Sequence, residues 1–179
     1  MSRRAPIAPR ALAPRPDAGF SLIEIAIVVT LLAVLAWIAW PGLASLAEIR
    51  LDAAARRVVS DLRYAQNRAI GSRALHGVRF EPGAGRYAVF SGKTGTALVN
   101  PADRGRRLSI DFDALSETRG VRIESASFGR TAAVTYDAYG VPRDAAGAEL
   151  KAPGIVVLLH AGLRDTVEVA PQTGAVTVR

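Results

Sequence analysis

The sequence predicts an α+β protein in which one long N-terminal helix, apolar through its first half and amphipathic through its second, packs on a small antiparallel β-sandwich. Three observations predict it. Residues 20–40 form a run of twenty-one residues broken by one charge, Glu24. Beyond residue 45 apolar side chains return at spacings of three and four, the period of a helix with one buried face. Beyond residue 72 that period stops, and short alternating segments lie between glycine, proline and aspartate clusters.

Taken in order, residues 1–19 hold four prolines and four arginines with no apolar periodicity. Such a composition cannot bury enough surface to fold by itself. The run over 20–40 is long enough, at about 1.5 Å per residue, to span the roughly 30 Å hydrocarbon core of a bilayer. Arg3, Arg4, Arg10 and Arg15 precede it, and Trp37 and Trp40 sit near its far end, which predicts an N-terminus in the cytoplasm and an interfacial anchor on the other side. Pro41 and Gly42 follow, and a kink or break is expected there because proline lacks the backbone donor and crowds the preceding turn. The second helical stretch, 45–72, repeats Leu51, Ala55, Val58, Leu62, Ala65 and Ala69 on one face, with Arg50, Arg56, Arg57, Arg63 and Arg68 on the others. Asp61, four residues after Arg57, makes a modest helical ion pair if exposed, and Gly71 reads as the stop. Strands follow over 75–80, 86–90, 108–112, 121–124, 133–136, 155–160, 166–169 and 175–178, the last two joined as a hairpin across Pro171 and Gly174. The organisation is therefore a basic leader over 1–19, the apolar half-helix 20–44, the amphipathic half-helix 45–72 and a β-rich domain over 73–179.

The stretch Gly19-Phe20-Ser21-Leu22-Ile23-Glu24, with apolar residues onward to Trp40, resembles the cleavage and methylation signal of type IV pilin-like proteins. That resemblance implies cutting after Gly19 by a prepilin peptidase and N-methylation of Phe20. A glycine lets the backbone approach a protease closely. A carboxylate inside a membrane helix is costly, on the order of 2.5 to 3.5 kcal/mol on insertion scales, so Glu24 needs a partner. Cleavage supplies one, since the new amine of Phe20 lies one turn away at the positive end of the helix dipole. In the family the carboxylate is held to meet the amine of a neighbouring subunit. Residues 53–69, containing Asp61-Leu62-Arg63-Tyr64-Ala65-Gln66-Asn67-Arg68-Ala69, and the closing 167–178 are similar to the H-type minor pseudopilins and fimbrial-T-type pilins. The implied role is a minor subunit near the tip of a type II secretion pseudopilus, partnered by other major and minor pseudopilins and an inner-membrane secretion platform, with the β-rich domain periplasmic. The alternative is a minor type IV pilin in pilus assembly or DNA uptake. Some relatives read DNA with arginines just after the hairpin glycine, where this chain has Ala175 and Thr177.

Other chemistry is argued down residue by residue. There is no cysteine, which removes disulfides, thiolate zinc sites and cysteine nucleophiles. A signal-peptidase site at Ser45 and Ala47 would follow an apolar core longer than the usual 7 to 15 residues, and Arg3-Arg4 is too far from that core for a twin-arginine signal. Gly92-Lys93-Thr94 mimics the end of a phosphate-binding loop, but Tyr87 stands where the first glycine belongs, so a β-turn is expected. His76 and His160 have no second ligand at metal spacing and read as packed side chains. Asp111 and Asp113 alternate on an expected strand beside Glu117 and read as its solvated face rather than a calcium site. The net charge of +7 invites nucleic acid, yet much of it lies ahead of residue 20 and the helix arginines form no single stripe. The reading requires no metal, no cofactor and no catalysis.

Overall fold

The computed structural model describes residues 21–92, 95–100, 103 and 105–179, the side chains of 38–45 excepted. The leader and the junction of Gly19 with Phe20 lie outside the described residues. Two compact units make up the chain, Met1–Pro41 and Gly42–Arg179, and helix α1 (Leu22–Ser72) contributes to both.

In the first unit α1 begins where the carbonyl of Ser21 accepts the amides of Glu24 and Ile25, at 3.0 and 3.1 Å. Its apolar side chains are exposed on every face. Leu22, Ile23, Ile25, Ile27, Val28, Val29, Leu31, Leu32, Val34, Leu35 and Trp37 all stand open, which is the reverse of a helix that buries one stripe. Among the described residues no helix is long and apolar enough to cross a membrane. The described apolar side chains stop at Trp37, short of Trp40, where the run read from the sequence ends. The kink expected at Pro41 and Gly42 falls among residues whose side chains are outside the described ones; the backbone there is helical.

The second unit has one core. Leu51, Ala55, Val58, Leu62, Ala65 and Ala69, the stripe expected from the sequence, are all buried, and Ala54 joins them. Four of these seven positions are alanines, and Leu51, Val58 and Leu62 are the larger side chains the helix adds to the core, each contributing about 1.5–3 kcal/mol of burial. Ten strands are described: β1 (His76–Glu81), β2 (Arg86–Ser91), β3 (Thr96–Ala97), β4 (Ser109–Asp111), β5 (Arg122–Ser127), β6 (Ala133–Tyr136), β7 (Pro142–Asp144), β8 (Gly154–His160), β9 (Leu163–Val169) and β10 (Val176–Val178). They form two antiparallel sheets. The first runs β3-β2-β1-β6-β7, with β4 also on β2, and the second runs β10-β9-β8-β5. Phe80, Tyr87, Phe112 and Phe128 fill the core as a chain of rings 5.5 to 5.8 Å apart.

Each expected strand is present, and the closing hairpin pairs Val176 with Val169 and Val178 with Val167. Two expectations are corrected. Gly71 is not the helix stop: Arg73 takes the left-handed conformation at φ 51°, its amide reaching Ile70 at 3.4 Å and that of Ala74 reaching Ala69 at 3.3 Å. This is the two-bond arrangement that satisfies the last carbonyls of a helix. Asp111 and Asp113 do not share a strand face either. Asp111 ends β4 and caps the short 3-10 turn Phe112–Ala114 by accepting the Asp113 amide, and Asp113 accepts the Gly120 amide at 2.9 Å. Short acidic side chains bond nearby amides readily, and here that local competition ends the strand.

Candidate functional site

The processing site divides at the edge of the described residues. Gly19 and Phe20 are outside it, while Ser21 and Glu24 open α1. Ser21 occupies the cap position by its carbonyl bonds, and Glu24 stands three residues on, exposed in the first turn. Serine followed three residues later by glutamate is the pairing of residue types that favours a helix start, and a carboxylate in the first turn is favoured by the helix dipole. The same Glu24 that reads as an assembly charge therefore also helps to start the helix immediately after the expected cut.

The segment 61–69 fastens the helix to the sheets. Asp61 does pair with Arg57, but it is buried rather than exposed. Its carboxylate is buried, accepts the Tyr87 hydroxyl of β2 at 2.7 Å and takes Arg57 Nε at 3.1 Å. Burial, then the charge of Asp61, pushes the Tyr87 hydroxyl pKa well above the ordinary tyrosine value. Burial alone would lower that of Arg57, but the Asp61 charge and hydrogen bond outweigh it and the value is raised. Arg63 donates to the Val176 carbonyl of β10 at 3.2 Å. Gln66 spends both amide protons on loop carbonyls, Gly140 at 2.9 Å and Thr173 at 2.8 Å. At Gly174, with φ 68°, a Cβ would sit 2.5 Å from the Gln66 amide nitrogen, so the hairpin can close on Gln66 only with glycine there. Sequence reasoning singled out this segment by resemblance but missed Tyr87 and the role of Gln66. Tyr87 carries no local signal, because its partner lies twenty-six residues away.

The remaining candidates take structural places. His76 is buried with Nδ1 3.0 Å from the Ala74 carbonyl. Lys93 and Thr94 lie outside the described residues; the amide of Gly95 donates to the Gly92 carbonyl at 3.4 Å. Arg179 pairs with Glu168 at 3.2 Å. Among the described residues no three histidine, aspartate or glutamate side chains stand together as metal ligands.

Residues 14–40 match the family described as the prokaryotic N-terminal methylation motif. The chain carries an N-terminal methylation motif. That motif implies processing by a prepilin peptidase, and its residues include Gly19, Phe20 and Glu24. No curated protein matches this chain. Among solved structures it is similar to the type IV minor pilin FimU of Pseudomonas aeruginosa, strain PAO1, with a TM-score of 0.49 and 12% identity over 72% of this chain and 87% of that one. It is similar also to the minor pseudopilin EpsH from the Type 2 Secretion System of Vibrio cholerae, with a TM-score of 0.48 and 12% identity over 73% and 96% of the two chains.

Proposed function

We propose that this protein is a minor pseudopilin of a type II secretion system, held in the inner membrane by the first half of α1, cut after Gly19, methylated on Phe20 and assembled into a pseudopilus near its tip. The observation that carries the reading is the methylation motif over 14–40. The apolar side chains exposed all round residues 22–37 supply a surface that lipid, and later neighbouring helices, can cover. Glu24 is the one charge in that surface, and the free amine of Phe20 created by cleavage is its partner in a neighbouring subunit. The β-rich unit then projects into the periplasm, and the inner-membrane secretion platform is the machine on which the subunits are added.

Mass spectrometry of the native protein tests it. A mature chain starting at methylated Phe20 is expected, and Gly19→Val should leave the leader attached. Glu24→Ala should be processed normally yet recovered poorly in the assembled fraction. A mature start at Glu48 would end the reading, because signal peptidase would then have removed the whole anchor. Secretion and piliation in a strain lacking the gene separate the secretion role from that of a minor pilin: loss of exported enzymes with surface pili intact is the expected result.

A further inference from the structure

The turn between β8 and β9 reaches back along α1, and two contacts fix how β9 runs beside that helix. Arg63 binds the Val176 carbonyl, and Val176 is paired with Val169 of β9. Further back on both elements, Asp165 and Asp52 line one hollow, and burial followed by the charge of Asp52 raises the pKa of the Asp165 carboxyl. From Val169 to Asp165 is about 13 Å of strand and from Arg63 to Asp52 about 16 Å of helix, so the two run back together. Gly162 lies about 10 Å beyond Asp165, a distance of about seven helical residues past Asp52, which sets the turn level with roughly residue 45.

What the turn carries there is apolar. His160 pairs with Leu163 across Ala161 and Gly162, and both central residues have positive φ, 49° and 85°. Asn-Gly or Asp-Gly is usual in such a two-residue turn, because an ordinary side chain at positive φ costs about 1–2 kcal/mol. Here the place of a polar amide is taken by a methyl group. Ala161 and Gly162 are exposed, and Leu163 is 37% exposed. Close to the same level α1 leaves Leu46 and Ile49 half open. No charged residue stands between Glu24 and Glu48. As helix, residues 25–47 span about 35 Å, more than the roughly 30 Å hydrocarbon core of a bilayer and less than the 40–45 Å that includes its headgroups. A bilayer that covers the helix up to its next charge therefore ends at residue 47, and a turn level with residue 45 falls inside its headgroup layer.

We propose that the β8–β9 turn rests in the headgroup layer of the membrane, with Ala161, Gly162 and Leu163 against lipid. The contact is made by apolar area and not by charge. Of the ionisable groups in the hollow beside the turn, Glu48, Asp52 and Asp165 are acids, and Arg164 is already bound to Glu124 at 2.7 and 2.8 Å. Those acids also keep the contact shallow, since carboxylates are costly in hydrocarbon. The inference rests on membrane storage through the first half of α1. It adds that the β-rich unit has a foothold of its own, which must be released when the subunit leaves the bilayer.

The chain has no cysteine, so single introduced cysteines can carry a nitroxide in the full-length protein, reconstituted in phosphatidylcholine vesicles. Collisions with oxygen, which concentrates in lipid, are compared with collisions with a water-soluble nickel chelate. Labels on Leu163→Cys and Leu31→Cys should meet oxygen more than nickel. A label on Tyr139→Cys, in an exposed turn packed by Ile70 near the other end of α1, should show the reverse. Adding Ala161→Asp, which a left-handed position accepts, should move the Leu163→Cys label into water, and high salt should leave the original reading unchanged. If Leu31→Cys meets oxygen while Leu163→Cys meets nickel, the inference fails and the anchor stands. If both meet nickel, membrane storage fails and takes the inference with it. Few collisions with either reagent at Leu163→Cys would mean that protein covers the turn, a second copy included. That result, a reading unmoved by Ala161→Asp, one abolished by salt, or lipid contact at Tyr139→Cys as well would overturn the proposal.

Discussion

Asp61 shows how far one side chain's meaning depends on what the fold brings to it. On the helix alone it is an acid four residues from Arg57, worth a few tenths of a kcal/mol at a surface. In the folded chain it is the buried acceptor of the Tyr87 hydroxyl, and a hydrogen bond to a charged, buried group is worth about 1.5–3 kcal/mol. Tyr87→Phe should therefore destabilise the protein by that amount in chemical denaturation, and Asp61→Ala by at least as much, with the double variant costing clearly less than the sum. The pH dependence follows from the same contact. The Tyr87 hydroxyl has its pKa raised well above 10.0 and burial raises that of Tyr136 as well. Groups with raised pKa values in the folded state add stability that is complete below the unfolded value and is lost as pH rises. Unfolding free energy should stay level up to about pH 10 and fall beyond it, and Tyr87→Phe should make that alkaline fall shallower.

At the scale of elements, legibility tracked periodicity. The apolar stripe of α1 was readable because Leu51, Val58 and Leu62 recur at helical spacing and nothing else explains the recurrence. The eight longer alternating segments were readable in the same way. The two strands missed had no period to read: β3 is only Thr96–Ala97, and β7 begins with a proline and continues with two charged residues. Strand ends moved where local bonding won, as at Asp111. The helix stop was misassigned because glycine is the residue usually found in the left-handed position, and this chain uses Arg73. Arg73→Gly should accordingly stabilise the protein by about 1 kcal/mol. Gly71→Ala should stabilise it too, by roughly 0.5–1 kcal/mol, since nothing lies within 4 Å of a Cβ there. Were Gly71 the true stop, that substitution would destabilise. Gln66 holds two loops from one helix position, and neither bond is local in sequence. Gln66→Ala should raise deuterium uptake over 137–141 and 170–175 while leaving β1, β6 and β8 protected.

The whole molecule divides its chemistry between two units that have opposite relations to water. Among the described residues every core residue belongs to the second unit, from Leu51 to Val176, whereas the large apolar side chains of residues 22–37 are exposed. A soluble protein does not carry so long an uncovered apolar surface without something to place against it. The apolar run and its single charge were legible at once in the sequence, because both are properties of composition. The seating of the β-rich unit on its helix was legible only in outline, because Tyr87, Gln66 and Gly174 act through contacts that close after folding. If the division is sound, a chain beginning at Gly42 keeps its entire core and loses only uncovered surface. It should be soluble without detergent, unfold in one cooperative step and melt within a few degrees of the full-length protein in detergent. The full-length chain should instead sediment with membranes and resist extraction by high salt, since what holds it there is apolar area rather than charge. A shortened chain that aggregates or melts without cooperativity would mean that residues before Gly42 are needed to complete the fold, and the first half of α1 could then no longer be treated as an anchor alone.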